Sequence, residues 1–114
     1  MSASALKKRL RADLKTTMRE RKAGEVAVIR TLIAAIDNAE AVPIDGLEER
    51  LRRREDVGEV ARRDLDAAAL DEVLAREMET RLSAAEDYTK HGREDDAARL
   101  HDEAALIARY RTGL

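Results

Sequence analysis

Residues 65–93 read LDAAALDEVLAREMETRLSAAEDYTKHGR. Apolar side chains recur along this stretch in steps of three and four, which places them on one stripe of a helix. The stripe consists of Leu70, Val73, Leu74, Met78, Leu82, Ala85 and Tyr88. Asp66 can cap the first turn, because its carboxylate can accept hydrogen bonds from free backbone N–H groups. Gly92 can end the helix, because glycine adopts the left-handed conformation at little cost. We therefore predict a long helix between these two residues, with Leu82 buried in the middle of its stripe.

Similar apolar stripes predict three more helices. The first runs from about Ser4, its N-cap, to Ala23, and Arg21, Lys22 and Gly24 mark its end. The second runs from about Glu25 to Ala41, and Pro43 prevents it from continuing. The fourth begins at about Arg93, directly after the third, so the last two helices are expected to form an antiparallel hairpin.

The composition agrees with an all-α fold. The chain has 114 residues, of which 44% are hydrophobic, 40% are charged and 2% are aromatic, with a single proline. We predict one small helical domain, residues 1–114, of four main helices with a terminal helical hairpin. Residues 43–64 are irregular, although Leu47 and Leu51 could mark one or two helical turns within residues 46–54. A loop of this length is either functional or mobile, and we expect a mobile segment.

The sequence contains few groups that could carry out catalysis. There is no cysteine, and neither His91 nor His101 has a second histidine or cysteine at the spacing of zinc ligands. Glycine-rich nucleotide-binding motifs and the nucleophile motif of hydrolases are absent. We therefore expect no enzymatic activity from this chain alone, and no cofactor or metal.

Charge is distributed unevenly along the chain. Residues 1–30 carry nine Lys and Arg against three acidic residues, whereas residues 64–114 carry seven against thirteen. Basic residues cluster on one face of the first predicted helix, and a second basic cluster lies in the predicted mobile segment. Either cluster could contact the phosphates of an RNA, or could simply be a solvated surface. The candidate RNA-binding residues are Lys8, Arg11, Lys15, Arg19, Lys22, Arg52, Arg53 and Arg54.

No stretch of the sequence is typical of a membrane span or a signal peptide. No apolar run approaches the ~20 residues that a membrane span requires. Lys7, Lys8, Arg9 and Arg11 interrupt any apolar core near the N-terminus. We therefore expect a cytoplasmic protein.

Four runs of residues resemble a known family. Residues 28–40 read VIRTLIAAIDNAE, 72–81 EVLAREMETR, 85–95 AEDYTKHGRED and 97–107 AARLHDEAALI. In this order they resemble the YqeY-like family, which is similar to the C-terminal part of GatB, a subunit of the glutamine-dependent tRNA amidotransferase. That enzyme is a carbon–nitrogen ligase that uses glutamine as the amido donor. The resemblance implies an all-helical module that is related to amide transfer on misacylated tRNA and carries no catalytic residue.

The resemblance also suggests partners. In GatB the corresponding part belongs to tRNA recognition, so we expect tRNA or an aminoacyl-tRNA-processing complex as a partner. A protein–protein interaction or scaffold role without RNA is the alternative. Family members commonly continue past the fourth helix into a small helical tail domain. Because this sequence ends with YRTGL at residues 110–114, we expect that tail to be lacking.

Overall fold

The computed structural model describes residues 1–41, Arg52 and residues 64–114. Residues 1–41 and 64–114 contain four α-helices. They are α1 (Ala3–Arg19), α2 (Ala23–Glu40), α3 (Ala67–Lys90) and α4 (Glu94–Thr112). The predicted all-α fold of four main helices is confirmed. The predicted mobile segment 43–64 lies outside the described residues, except for Arg52 and Asp64.

The ends of α1 differ from the prediction. Ser2, not Ser4, is the N-cap, and its hydroxyl accepts from the backbone N–H of Ala5 at 3.0 Å. The helix ends at Arg19, and the chain reverses at Arg21, whose φ of 57° lies in the left-handed region. The prediction that this helix runs to Ala23 is wrong, because α1 ends at Arg19. Of the residues expected to mark its end, Arg21 lies in the turn and Lys22 is the N-cap of α2. Gly24 lies instead in the first turn of α2.

The α3–α4 hairpin has the predicted limits. Asp66 accepts from the backbone N–H of Ala69 at 2.8 Å and so caps α3. At the other end Gly92 has a φ of 72°, and the N–H of Arg93 donates to the carbonyl of Tyr88 at 2.9 Å. This pattern is a Schellman motif, which satisfies the last carbonyls of α3 and turns the chain directly into α4.

The hydrophobic core is confined to one half of the hairpin. Helices α1 and α2 pack against the beginning of α3 and the end of α4, where most of the large buried side chains lie. The other half of the hairpin has a smaller cluster of buried residues, which consists of Ala85, Ala97 and Leu100. The two fully buried leucines of α1 and the central residues of α2 complete the main core: Leu6, Leu10, Val28, Ile29, Leu32 and Ile36.

The prediction that Leu82 is buried is wrong, since 42% of this residue is exposed. A step of four residues advances about 40° beyond a full helical turn, so three such steps from Leu70 carry Leu82 about 120° around α3. Arg81 takes the inward position at this level, and only 12% of its side chain is exposed. Because α1 and α2 do not cover this half of the hairpin, the apolar stripe continues beyond the surface that buries it.

Candidate nucleic-acid interface

Four cations form a line along the exposed side of α1. Lys8, Arg11, Lys15 and Arg19, which we call the basic row, are all exposed. They are separated by steps of three or four residues, so neighbouring charges are about 4.5–6 Å apart along the helix axis and the row is about 16 Å long. This arrangement is suited to an extended anion such as a nucleic-acid backbone.

The basic row is free of acidic partners within the parts of the chain that the structure describes. No ion pair there joins any of its four residues to a carboxylate, although neighbouring cations on the same helix do form such pairs. The Arg19 Nε donates only to the carbonyl of Lys15, at 3.4 Å. The charge of the row is therefore available to a ligand.

Lys22 does not belong to the basic row. The sequence places it on the same helical face, but α1 ends at Arg19 and Lys22 is the N-cap of α2. Its Nζ lies 3.0 Å from Glu20 and 3.8 Å from Glu25. The hydrogen bond to the Glu20 carboxylate raises the pKa of Lys22. An RNA phosphate would therefore compete with two carboxylates for this ammonium group.

The second predicted basic cluster can be placed only in part. Arg52 is exposed, whereas Arg53 and Arg54 lie outside the described residues. Contact of this cluster with RNA remains a prediction.

The opposite sides of α1 are engaged by the other helices. Towards α4, the Tyr110 hydroxyl donates to the Asp13 carboxylate at 2.5 Å, and the Arg9 guanidinium lies 5.0 Å from the centre of the Tyr110 ring. Burial, followed by the hydrogen bond to Asp13, raises the pKa of Tyr110 well above its usual range. Towards α2, the Lys7 Nζ lies 3.0 Å from Asp37 and 2.6 Å from Glu40. These contacts hold α1 in an orientation that directs the basic row away from the helix bundle.

The structure adds two arginines that the sequence does not single out. Arg21 lies in the turn after α1 and Arg30 lies on α2, and both line a groove of about 440 Å³ next to the exposed Met18. The Arg30 guanidinium lies 3.9 Å from the Met18 sulfur. Helical periodicity could not reveal this site, because its residues come from a turn and from two different helices.

Neither a metal site nor a membrane span is evident in the described structure. Residues 1–41, 52 and 64–114 contain no group of three or more His, Asp and Glu side chains that could hold a metal ion. Among the four helices, none is long and apolar enough to cross a membrane.

These features define an all-α module whose chemistry is that of a charged surface. The model of the YqeY-like protein family matches residues 7–112, which is nearly the whole chain. The chain therefore belongs to the YqeY-like family, and the resemblance inferred from the sequence is confirmed.

One curated relative is longer than this chain. This chain is 33% identical over 101 residues to that relative, "Altered inheritance of mitochondria protein 41, mitochondrial" from Meyerozyma guilliermondii. The match covers 89% of this chain but only 43% of the relative. The chain therefore spans less than half of that protein.

Proposed function

We propose that this protein is a non-catalytic helical module that contacts the sugar–phosphate backbone of an RNA, with tRNA as the first candidate, through the basic row of α1. The observation that carries the proposal is that Lys8, Arg11, Lys15 and Arg19 are exposed and have no carboxylate partner in the described residues. Membership of the YqeY-like family supports tRNA in particular. That family is similar to the C-terminal part of GatB, which belongs to tRNA recognition.

The proposed contact is electrostatic, so its strength depends on salt. Each phosphate that the protein neutralises releases condensed counterions and contributes about −0.7 to −0.9 to the slope of log K against log salt. If the row engages four phosphates, the affinity falls on the order of 50- to 150-fold between about 50 and 200 mM salt.

A triple variant tests the proposal. Replacement of Lys8, Lys15 and Arg19 by alanine removes three charges from exposed positions outside the core, so the domain should fold normally. The salt slope for tRNA, measured by fluorescence anisotropy, should decrease by about 2–2.7. The matched control removes three exposed cations from α3 and α4, namely Arg76, Lys90 and Arg109.

The control variant should retain most of the salt slope, since it has the same net charge as the test variant but an intact basic row. Equal slopes for the test variant and the wild type would place the RNA elsewhere. Absence of tRNA binding by the wild type at low salt would reject the proposal.

The alternative function is a protein–protein interaction or scaffold module. It is favoured by a second groove, of about 710 Å³, between the start of α2 and the middle of α4, with Val28 and Leu106 among its lining residues. The exposed Leu82 on the hairpin adds apolar surface. This alternative gains if RNA does not bind. The cytoplasmic location remains a prediction.

A further inference from the structure

A groove lies where α1 turns into α2, and we call it the turn groove. Its volume is about 440 Å³, and it is lined by Met18, Arg21, Ala23, Val26, Ala27 and Arg30. Met18 is 50% exposed and adds an apolar side chain to the groove. The groove therefore combines a small apolar surface with two guanidinium groups.

No carboxylate lines the turn groove, although acidic residues are frequent in this protein. Within the described residues, neither Arg21 nor Arg30 forms an ion pair, and the only hydrogen-bond acceptor of the Arg30 side chain is the Met18 sulfur. The groove thus differs from the pocket between α1, the start of α2 and the end of α4. That pocket is lined by Arg9, Lys22 and Arg109, and each of these cations is paired with an acid. Its charge is complementary to an anionic ligand.

Arg21 adopts a backbone conformation that is unfavourable for arginine. Its φ of 57° lies in the left-handed region, where glycine or asparagine is found at lower cost. The guanidinium is therefore placed at the groove by a turn that glycine would form more easily. Strained residues that persist in this way are concentrated at functional sites.

We propose that the turn groove binds an unpaired nucleobase of an RNA strand whose phosphates follow the basic row, an inference that rests on the proposed function. The apolar side chains cover one face of the base, and the two guanidinium groups stack on it or donate to its edge. The Met18 thioether contributes the sulfur–aromatic contact that methionine forms with planar rings. The ligand class is therefore RNA with an unstacked base, as in a loop or a single-stranded end.

The position of the groove relative to the basic row supports one continuous ligand. On a helical wheel Met18 lies about 20° from Arg11, two turns further along α1, on the side that faces α2. Arg21 follows Arg19, the last cation of the row, by two residues. A strand that runs along the row thus reaches the groove at the end of α1.

The test uses two labelled probes with the same charge. One is an oligoadenylate of about twelve nucleotides, and the other is the same sugar–phosphate chain without bases. Both are titrated with the protein of residues 1–114 at about 50 mM salt, and binding is followed by fluorescence anisotropy. We expect wild-type protein to bind the oligoadenylate about three- to tenfold more tightly than the abasic chain.

Two variants separate the groove from the overall fold. Arg21→Gly removes the guanidinium and relieves the left-handed backbone, so the thermal midpoint should stay the same or rise while the preference for bases falls to about onefold. Arg30→Gln should have the same effect on the preference without altering the turn. Arg76→Gln is the matched control, because Arg76 is an exposed arginine of α3 that does not line the groove, and it should leave the preference unchanged.

The outcomes distinguish this inference from the proposed function. If both probes bind with equal affinity and strong salt dependence, the basic row is supported and the base site is overturned. A base preference that survives in Arg21→Gly and Arg30→Gln also overturns the base site. The same holds if these variants lose affinity equally for both probes, since the arginines would then act through charge alone. If neither probe binds, both proposals fail.

Discussion

Replacement of Arg81 by methionine would show what holds the far half of the α3–α4 hairpin together. The cluster of buried residues in that half consists of two alanines and Leu100, so its hydrophobic core is small. Arg81 lies between the helices, with one guanidinium nitrogen 2.9 Å from Glu77 Oε2 and the Nε 3.2 Å from Glu103 Oε1. Glu103 is held in turn by Arg99 at 3.0 Å. We infer that this network supports the hairpin where apolar packing is scarce.

The loss in the free energy of unfolding that we expect for Arg81→Met lies between the values for exposed and buried ion pairs. Removal of one partner costs about 3–5 kcal/mol in a fully buried pair, and exposed pairs contribute about 0–1 kcal/mol. The side chains of Arg81 and Glu103 are 12% and 20% exposed, but Glu103 keeps Arg99 and methionine preserves the apolar stem. The free energy of unfolding should therefore fall by about 1–2 kcal/mol, which lowers Tm by roughly 4–8 °C for a chain of this size.

Urea and thermal unfolding followed by circular dichroism would measure the loss. A double-mutant cycle of Arg81→Met with Glu103→Gln isolates the contact between α3 and α4. Lys90→Met is the control, because its 3.6 Å pair with Glu86 is exposed and should cost less than about 0.5 kcal/mol. A variant at Arg81 that is as stable as the control, or a coupling energy near zero, would refute the reasoning.

Two further changes test the core and its polar border. Leu74→Ala should lower the free energy of unfolding by about 2–5 kcal/mol, because Leu74 is fully buried. Leu82→Ala should lower it by less than about 1 kcal/mol. Equal losses in chemical denaturation would contradict the assignment of Leu74 to the core and Leu82 to the surface. Burial and the hydrogen bond to Asp13 raise the pKa of Tyr110, so the folded state favours the neutral phenol. The stability that this preference contributes is present below the ordinary tyrosine pKa of about 10 and is lost as the pH rises above it. The unfolding free energy of the wild type should therefore decrease more between about pH 9 and 12 than that of Tyr110→Phe, and parallel pH profiles would exclude this coupling.

The elements that depend on local interactions could be predicted from the sequence. The cap at Asp66, the Schellman motif at Gly92 and the hairpin that follows are each decided by a few adjacent residues, and all three are present in the structure. The basic row could also be predicted, because helical period alone places its four residues on one side of α1. The family could be recognised for a related reason, since the order of residues along the helices carries the resemblance.

Features that depend on neighbouring helices were decided only by the tertiary structure. Leu82 is exposed and Arg81 is turned inward because α1 and α2 cover only one half of the hairpin, and the sequence of α3 contains no information about where its neighbours end. Similarly, the sequence does not show that α1 ends at Arg19 instead of Ala23, which removes Lys22 from the basic row. Local rules set the face of each helix, whereas the packing of several helices determines which part of that face is buried and which side chains meet.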